Sequence, residues 1–333
     1  MSLPFLAPRL QLADLPTPLE PMPRLSKALG GPTLWVKRDD LTGLALGGNK
    51  TRKLEFLFAD ALLGRATSVI TFGAIQSNHA RQTAAAAARL GMPCDLILTE
   101  MVDRSDDAYR NSGNVLLDTL LGAYVNFLPK NGNREMVVAD IVARRQRDGH
   151  RAYVIPPGGS NAVGATGYAH AFYEILLQST AYGIEAAAIV HATSSGGTQS
   201  GLIAGRAHAG NGPEIVGINV FQAGASVRDG VALLAQQTCK HLDTAAPKSS
   251  VEVVDDFIGP AYGQPTEAMK EAVRLAAETE GLILDPVYSG KAMAGLIALI
   301  RAKRWKSDES VIFLHTGGTP ALFSYASEFP GQR

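Results

Sequence analysis

SVITFGAIQSNHARQTAAAAARLG, residues 68–91, changes its periodicity part-way along, and that change decides the fold. Residues 68–74 are a short, nearly continuous apolar run, the pattern of a strand covered on both faces. IQSN interrupts it, and HARQTAAAAARLG continues as a helix. A strand feeding a helix through a short polar corner is the β-loop-α unit of a parallel sheet. Two further units repeat the arrangement. AAAIVHAT (186–193) passes through SSGGT into QSGLIAGRAHAG, and SVIFLHT (310–316) passes through GGT into PALFSYA. Additional strands are expected at 34–39, 94–98, 152–156 and 214–220. The fold class is therefore α/β, with ligands expected beyond the carboxyl ends of the strands, where all three corners lie.

The chain has 333 residues, more than one hydrophobic core usually serves, so two lobes with a cleft between them are expected. PPGGSNAVGATG (156–167) separates two groups of β-α units and reads as the crossing between lobes. Lys plus Arg and Asp plus Glu each number 31, so overall charge recruits neither nucleic acid nor an anionic membrane, and the partner should be small. No stretch approaches the roughly 20 apolar residues that span a bilayer. The start, MSLPFLAPRLQLADLP, has prolines where a signal peptide needs an unbroken apolar region, which points to a cytoplasmic protein. Cys94 and Cys239 are the two cysteines and read as buried thiols. The histidines form no HExxH or HxH pattern, so no metal is expected.

SSGGTQSG (194–201) lies between a strand and a helix, where small residues let backbone N–H groups close around an anion. Ser195 and Thr198 add hydroxyls, making a phosphate cradle built without Lys or Arg; the alternative is a tight turn. In GGNKTRKLEFLFADAL (47–62), Leu54, Leu57, Phe58 and Ala61 recur at helical spacing and Asn49 stands at the N-cap position. Lys50 then falls in the first turn, where the helix dipole and partial burial both disfavour its ammonium form. A neutral amine can form a Schiff base. The competing reading makes Lys50, Arg52 and Lys53 a solvated basic turn.

The near match of GLALGGNKT (43–51) to a phosphate-binding nucleotide loop fails because Asn49 separates Gly48 from Lys50, and no GxGxxG follows a strand. Ser77 and Asn78 open another helix, positioned to hold a carboxylate or simply to cap. Thr316 lies on the last strand-to-helix corner. Tyr262 and Tyr288 stand in irregular GPAYGQP and LDPVYSGKAM contexts, as site or packing residues.

TPLE (17–20), WVKRDD, GGNKTRKLEFL, GAIQSNHARQTAA, IPPGGSNAVGATGY, SSGGTQSG, PVYSGKAMAGL and HTGGTPALF together resemble the D-cysteine desulfhydrase and 1-aminocyclopropane-1-carboxylate (ACC) deaminase family. The matching segments run in family order from about Pro16 to Phe323. The resemblance implies a fold-type II pyridoxal 5′-phosphate (PLP) enzyme, tryptophan synthase β-like, working as a homodimer on a small amino acid. It implies a large PLP-binding domain of residues 1–47 plus 160–333 and a small domain of residues 48–159. Lys50 becomes the Schiff-base lysine, and Asn78 the partner of the cofactor's ring oxygen. Ser195, Gly196, Gly197 and Thr198 would hold the phosphate. Ser77, Asn78 and His79 would bind the substrate carboxylate, and Tyr262 and Tyr288 would stand beside the substrate.

Where the ACC deaminase branch carries an acidic residue after the second tyrosine, this chain has Ser289, leaving the neutral hydroxyl of Thr316 for the pyridine nitrogen. A shallower electron sink suits expulsion of a β-substituent better than cyclopropane opening. The expected reaction is β-elimination from D-cysteine, or from L-cysteate as in the similar L-cysteate sulfo-lyases. Lys50 would take the α-proton, and a tyrosine would assist the departing group. ACC deamination, or a PLP- or phosphate-binding module without turnover, are the alternatives.

Overall fold

The computed structural model describes residues 7–222, 225–248 and 250–331. Residues 1–6 of the proline-interrupted start lie outside them. In chain order the strands are β1 (Leu19–Pro21), β2 (Thr33–Lys37), β3 (Ser68–Ala74), β4 (Cys94–Thr99), β5 (Tyr124–Leu128), β6 (Ala152–Val154), β7 (Ala186–Thr193), β8 (Glu214–Asn219), β9 (Glu252–Val254) and β10 (Ser310–Leu314). Among the described residues they form a six-stranded sheet in the order β1-β2-β10-β7-β8-β9 and a four-stranded sheet in the order β5-β4-β3-β6. Every pairing is parallel except β1 with β2.

The helices are α1 (Pro23–Leu29), α2 (Lys50–Leu63), α3 (Asn78–Arg89), α4 (Asp107–Asn111), α5 (Gly113–Leu120), α6 (Arg134–Arg147), α7 (Ala162–Ala181), α8 (Gly197–Ala209), α9 (Ala225–His241), α10 (Glu267–Glu280), α11 (Ser289–Arg301) and α12 (Thr319–Phe323). They cover both faces of both sheets, which is why β3, β7 and β10 can be apolar throughout. Val190, Val216 and Phe313 face α10 and α11 on one side of the larger sheet, while Ile189, Ile215 and Ile312 face α7, α8 and α9 on the other. Leu54, Leu57 and Phe58 of α2 pack with the alanine-rich face of α3 over β3 and β4. Each such side chain withdrawn from water contributes about 1.5–3 kcal/mol.

The expected strands 68–74 and 186–193 appear with those bounds. The run 34–39 ends early, at Lys37, because the chain turns through a short 3₁₀ segment, Asp39–Leu41, that carries the Asp39 carboxylate inward to Arg52. The run 152–156 ends at Val154, just before the two prolines. Only the first part of 156–167 is irregular: Pro157–Gly159 is a 3₁₀ turn and α7 begins at Ala162, capped by the Asn161 side chain.

Candidate active site

A cleft of about 350 Å³ opens at the carboxyl ends of β3, β7 and β10, where their corners meet the start of α2. Lys50, Ser77, Asn78, His79, Ser195, Gly196, Thr198, Tyr262, Tyr288 and Thr316 all line it. Gly197 does not; its N–H turns away to donate to Ser160 Oγ at 3.2 Å.

Lys50 is the first residue of α2 and is half-buried in the cleft wall. Burial lowers its amine to about 8; Asp285 opposes that shift and Arg81 adds to it. The amine donates to Asn49 Oδ1 at 2.8 Å, and Asn49 Nδ2 donates to Thr198 Oγ1 at 2.9 Å. Asn49 therefore does not cap α2 with its side chain, contrary to the sequence expectation. Its backbone is already helical, and the free N–H of Thr51 is taken by Gln82 Oε1 at 2.9 Å, leaving the Asn49 amide to tie Lys50 to the opposite corner.

The solvated basic turn is also corrected. Arg52 and Lys53 are buried. Arg52 donates to both Asp39 oxygens at 2.8 Å and to Glu174 at 2.8 and 2.9 Å, and Lys37 joins the same cluster. Burial alone would raise the Asp39 carboxyl, but the Arg52 guanidinium, with Lys37 and the Tyr168 hydroxyl, more than reverses it and holds the group below its usual range. This pairing fastens α2, and with it Lys50, to the loop after β2 and to α7.

Lys53, one turn beyond Lys50, points into the cleft and donates to the Gly158 carbonyl at 3.2 Å. Burial, then repulsion from Lys50, depresses its amine well below the ordinary lysine value. The anion cradle is thus not free of cations, as the local sequence of 194–201 suggests. A side chain on Gly197 would put its Cβ 2.6 Å from Ser160 Oγ and 3.0 Å from Lys53 Nζ, so only glycine lets the start of α8 approach both. Gly196, at φ 83°, supplies the left-handed turn from which α8 starts beside the cleft, leaving N–H groups of its first turn after Gly197 without intrahelical acceptors. The donor set of hydroxyls, open helix N–H groups and one lysine fits a phosphate, and the facing Lys50 amine fits an aldehyde.

At the second corner, Ser77 Oγ caps α3 by accepting from Ala80 N–H at 3.1 Å. The N–H groups of Asn78 and His79 find no acceptor among the described residues. His79 Nε2 meets Thr71 Oγ1 at 2.8 Å, and burial, with Lys50 and Lys53 adding to it, keeps the ring neutral. Tyr262 and Tyr288 bond to each other through their hydroxyls and rest on a small cluster with Ile75, Val102 and Tyr325, so they are both packing and wall. Burial raises both phenols well above their usual range, and each stays an O–H.

Asp285, absent from the sequence reading, accepts from the backbone N–H groups of Val287 and Tyr288 at 2.9 Å and of Ser289 at 2.7 Å. It shapes the turn that presents Tyr288, and Ser289 Oγ also binds it instead of facing the cleft. Phe72, Met101, Arg134 and Phe221 complete the outer wall. Gly317 sits so close to Gly48 that a Cβ there would lie 2.8 Å from the Gly48 Cα, bringing the Thr316 corner against the loop that ends in Lys50.

The family model described as pyridoxal-phosphate-dependent enzyme matches residues 10–317. The chain is 45% identical over 318 residues, 96% of each protein, to a D-cysteine desulfhydrase of Klebsiella pneumoniae (strain 342). It is 44% identical, with the same coverage, to a D-cysteine desulfhydrase of Salmonella schwarzengrund (strain CVM19633). Among solved structures, an ACC deaminase homologue superposes with a TM-score of 0.87 at 36% identity, covering 97% of this chain and 95% of its own. A PLP-dependent aspartate racemase shares the fold alone, with a TM-score of 0.66 at 16% identity. The cleft that offers a depressed lysine amine opposite a glycine-lined anion cradle is accordingly that of a PLP enzyme, and the chain belongs to the pyridoxal-phosphate-dependent enzyme family.

Proposed function

We propose that this protein is a carbon–sulfur lyase that removes the β-substituent of a cysteine-type amino acid, D-cysteine or L-cysteate, yielding pyruvate, ammonia and sulfide or sulfite. The observation that carries the reading is the Lys50 amine, lowered to about 8, at the mouth of α2 across from Gly196 and Thr198. The full-length likeness to the D-cysteine desulfhydrases supports the same choice.

In this reading Lys50 holds PLP through its amine, and Ser195, Gly196, Thr198 and Lys53 hold the phosphate, with Gly197 giving the clearance. Asn78 and Thr316, which also line the cleft, would offer an amide and a hydroxyl to the cofactor ring. When bound, the cofactor supplies the electron sink that lets the α-C–H and β-carbon bonds break. The unpaired N–H groups of Asn78 and His79, beside Ser77, orient the substrate carboxylate. The Lys50 amine would take the α-proton, and its lowering to about 8 suits that task. The Tyr262–Tyr288 hydroxyl pair, kept protonated by burial, gives a proton to the departing group.

ACC deamination is the weaker reading, because Thr316 brings a neutral hydroxyl to the cleft and Ser289 is spent on Asp285. The division into a small domain of residues 48–159 and a large one of 1–47 plus 160–333 is supported by the four-stranded sheet lying within 68–154. A cytoplasmic homodimer is the assembly the resemblance implies. Among the described residues no helix is long and apolar enough to cross a membrane.

The test is to incubate the holoprotein separately with D-cysteine, L-cysteine, L-cysteate and ACC and to follow keto acids, sulfide and sulfite. Pyruvate from a cysteine-type substrate is expected. A yellow protein that releases no keto acid would be a binding module, and 2-oxobutyrate from ACC at a matching rate would favour deamination.

A further inference from the structure

Among the described residues, those that line the cleft include three cations, Lys50, Lys53 and Arg134, and not one carboxylate. Each of the first two has an evident task in the lyase reading above, on which this inference rests. Lys53 faces the phosphate cradle, and Lys50 is consumed by its bond to the cofactor. The substrate carboxylate has the open end of α3. Arg134 is left over.

Its position is costly for a surface arginine. It is the first residue of α6, at the positive end of the helix dipole, with Asn133 capping through Met136 N–H at 3.0 Å. No carboxylate of the described residues pairs with it, although Arg144 and Arg145 of the same helix both reach Asp95 at 2.6 Å. Instead the guanidinium lies 5.2 Å over the ring of Phe72, itself part of the cleft wall, which fixes the charge above the opening.

We propose that Arg134 receives an anionic substituent on the substrate β-carbon, which makes the substrate class a β-sulfonated amino acid such as L-cysteate. A planar guanidinium meets the oxygens of a sulfonate through paired hydrogen bonds, whereas a thiol offers it nothing comparable. The reaction balances without a redox partner. The α-proton passes to Lys50, the C–S bond breaks with its electron pair leaving on sulfite, and water converts the unsaturated amine product to pyruvate and ammonia. The curated relatives named as D-cysteine desulfhydrases expel a different group from the same carbon.

Calorimetry on the holoenzyme tests this with two substrate skeletons that cannot react, 3-sulfopropanoate and 3-mercaptopropanoate. The unmodified protein should bind the sulfonate more tightly, and Arg134→Met should reduce the sulfonate-to-thiol affinity ratio by roughly 10-fold to 100-fold, with Arg134→Lys between. The ratio of kcat/KM for L-cysteate over D-cysteine should fall by the same factor. An unchanged ratio in Arg134→Met, or a holoenzyme that prefers the thiol, overturns the assignment while leaving the lyase intact. Absence of pyruvate from every cysteine-type substrate overturns the lyase reading itself and this proposal with it.

Discussion

Arg52 and Lys53 are neighbours on α2 and receive opposite electrostatic treatment. Arg52 turns toward the six-stranded sheet, where Asp39 and Glu174 take nearly all of its hydrogen-bonding capacity. Lys53, equally buried, turns toward the cleft and finds a single backbone carbonyl. One helix therefore carries a paired charge that holds it in place and a buried amine without a counter-ion that waits for a ligand. Burial of an ion without its counter-ion costs stability, so the contrast separates residues serving the fold from those serving the chemistry.

Lys50→Ala applies the sharpest test, because Lys50 belongs wholly to the second class. Turnover should fall by roughly 1,000-fold or more in keto-acid assays, with the internal cofactor absorbance lost. Arg52→Met strikes the other class. Removing the guanidinium strands Asp39 and Glu174, and urea unfolding should show a loss of about 3–5 kcal/mol; a loss below about 1 kcal/mol would erase the contrast between the two faces.

Tyr288→Phe removes one hydroxyl of the pair and should lower kcat by about 100-fold while leaving the unfolding midpoint nearly in place. Lys53→Met should weaken PLP binding by roughly 10-fold to 100-fold, read by equilibrium dialysis, and yet make the cofactor-free protein more resistant to heat.

The smallest effect is in pH. Because the Lys50 amine is lowered to about 8 from the ordinary 10.5, the unfolded chain binds its proton more readily between those values. The cofactor-free protein should then gain stability from this group as pH rises from about 8 toward 10.5, and Lys50→Ala should abolish that part of the slope.

How much of this was open to sequence reading depends on whether a residue's role is local. Strands β3 and β7 are covered on both faces, so their apolar runs are continuous and end where the structure ends them. Strands β1, β5 and β9 went unseen because they are edge strands, short or half-exposed, with mixed polarity. The three strand-to-helix corners carried their own signals of small residues and hydroxyls, and the structure gathers them. Lys53 acquires meaning through the Gly158 carbonyl, 105 residues further along the chain, and Arg134 through the carboxylate it lacks, which no spacing rule records. Asn49 misled for a related reason: its cap position was legible, but the competing donor chain through Gln82 and Thr198 was not.

The close meeting of Gly48 and Gly317 bears on any attempt to reshape this protein for other amino acids. A methyl on Gly317 would wedge apart the two loops that deliver the amine and the Thr316 hydroxyl, and one on Gly48 would strike the Gln82 side chain, so that side of the chamber resists redesign. Engineers must enlarge or recharge it from the opposite rim, where Phe72, Met101 and Arg134 are side chains whose replacement leaves those loops untouched.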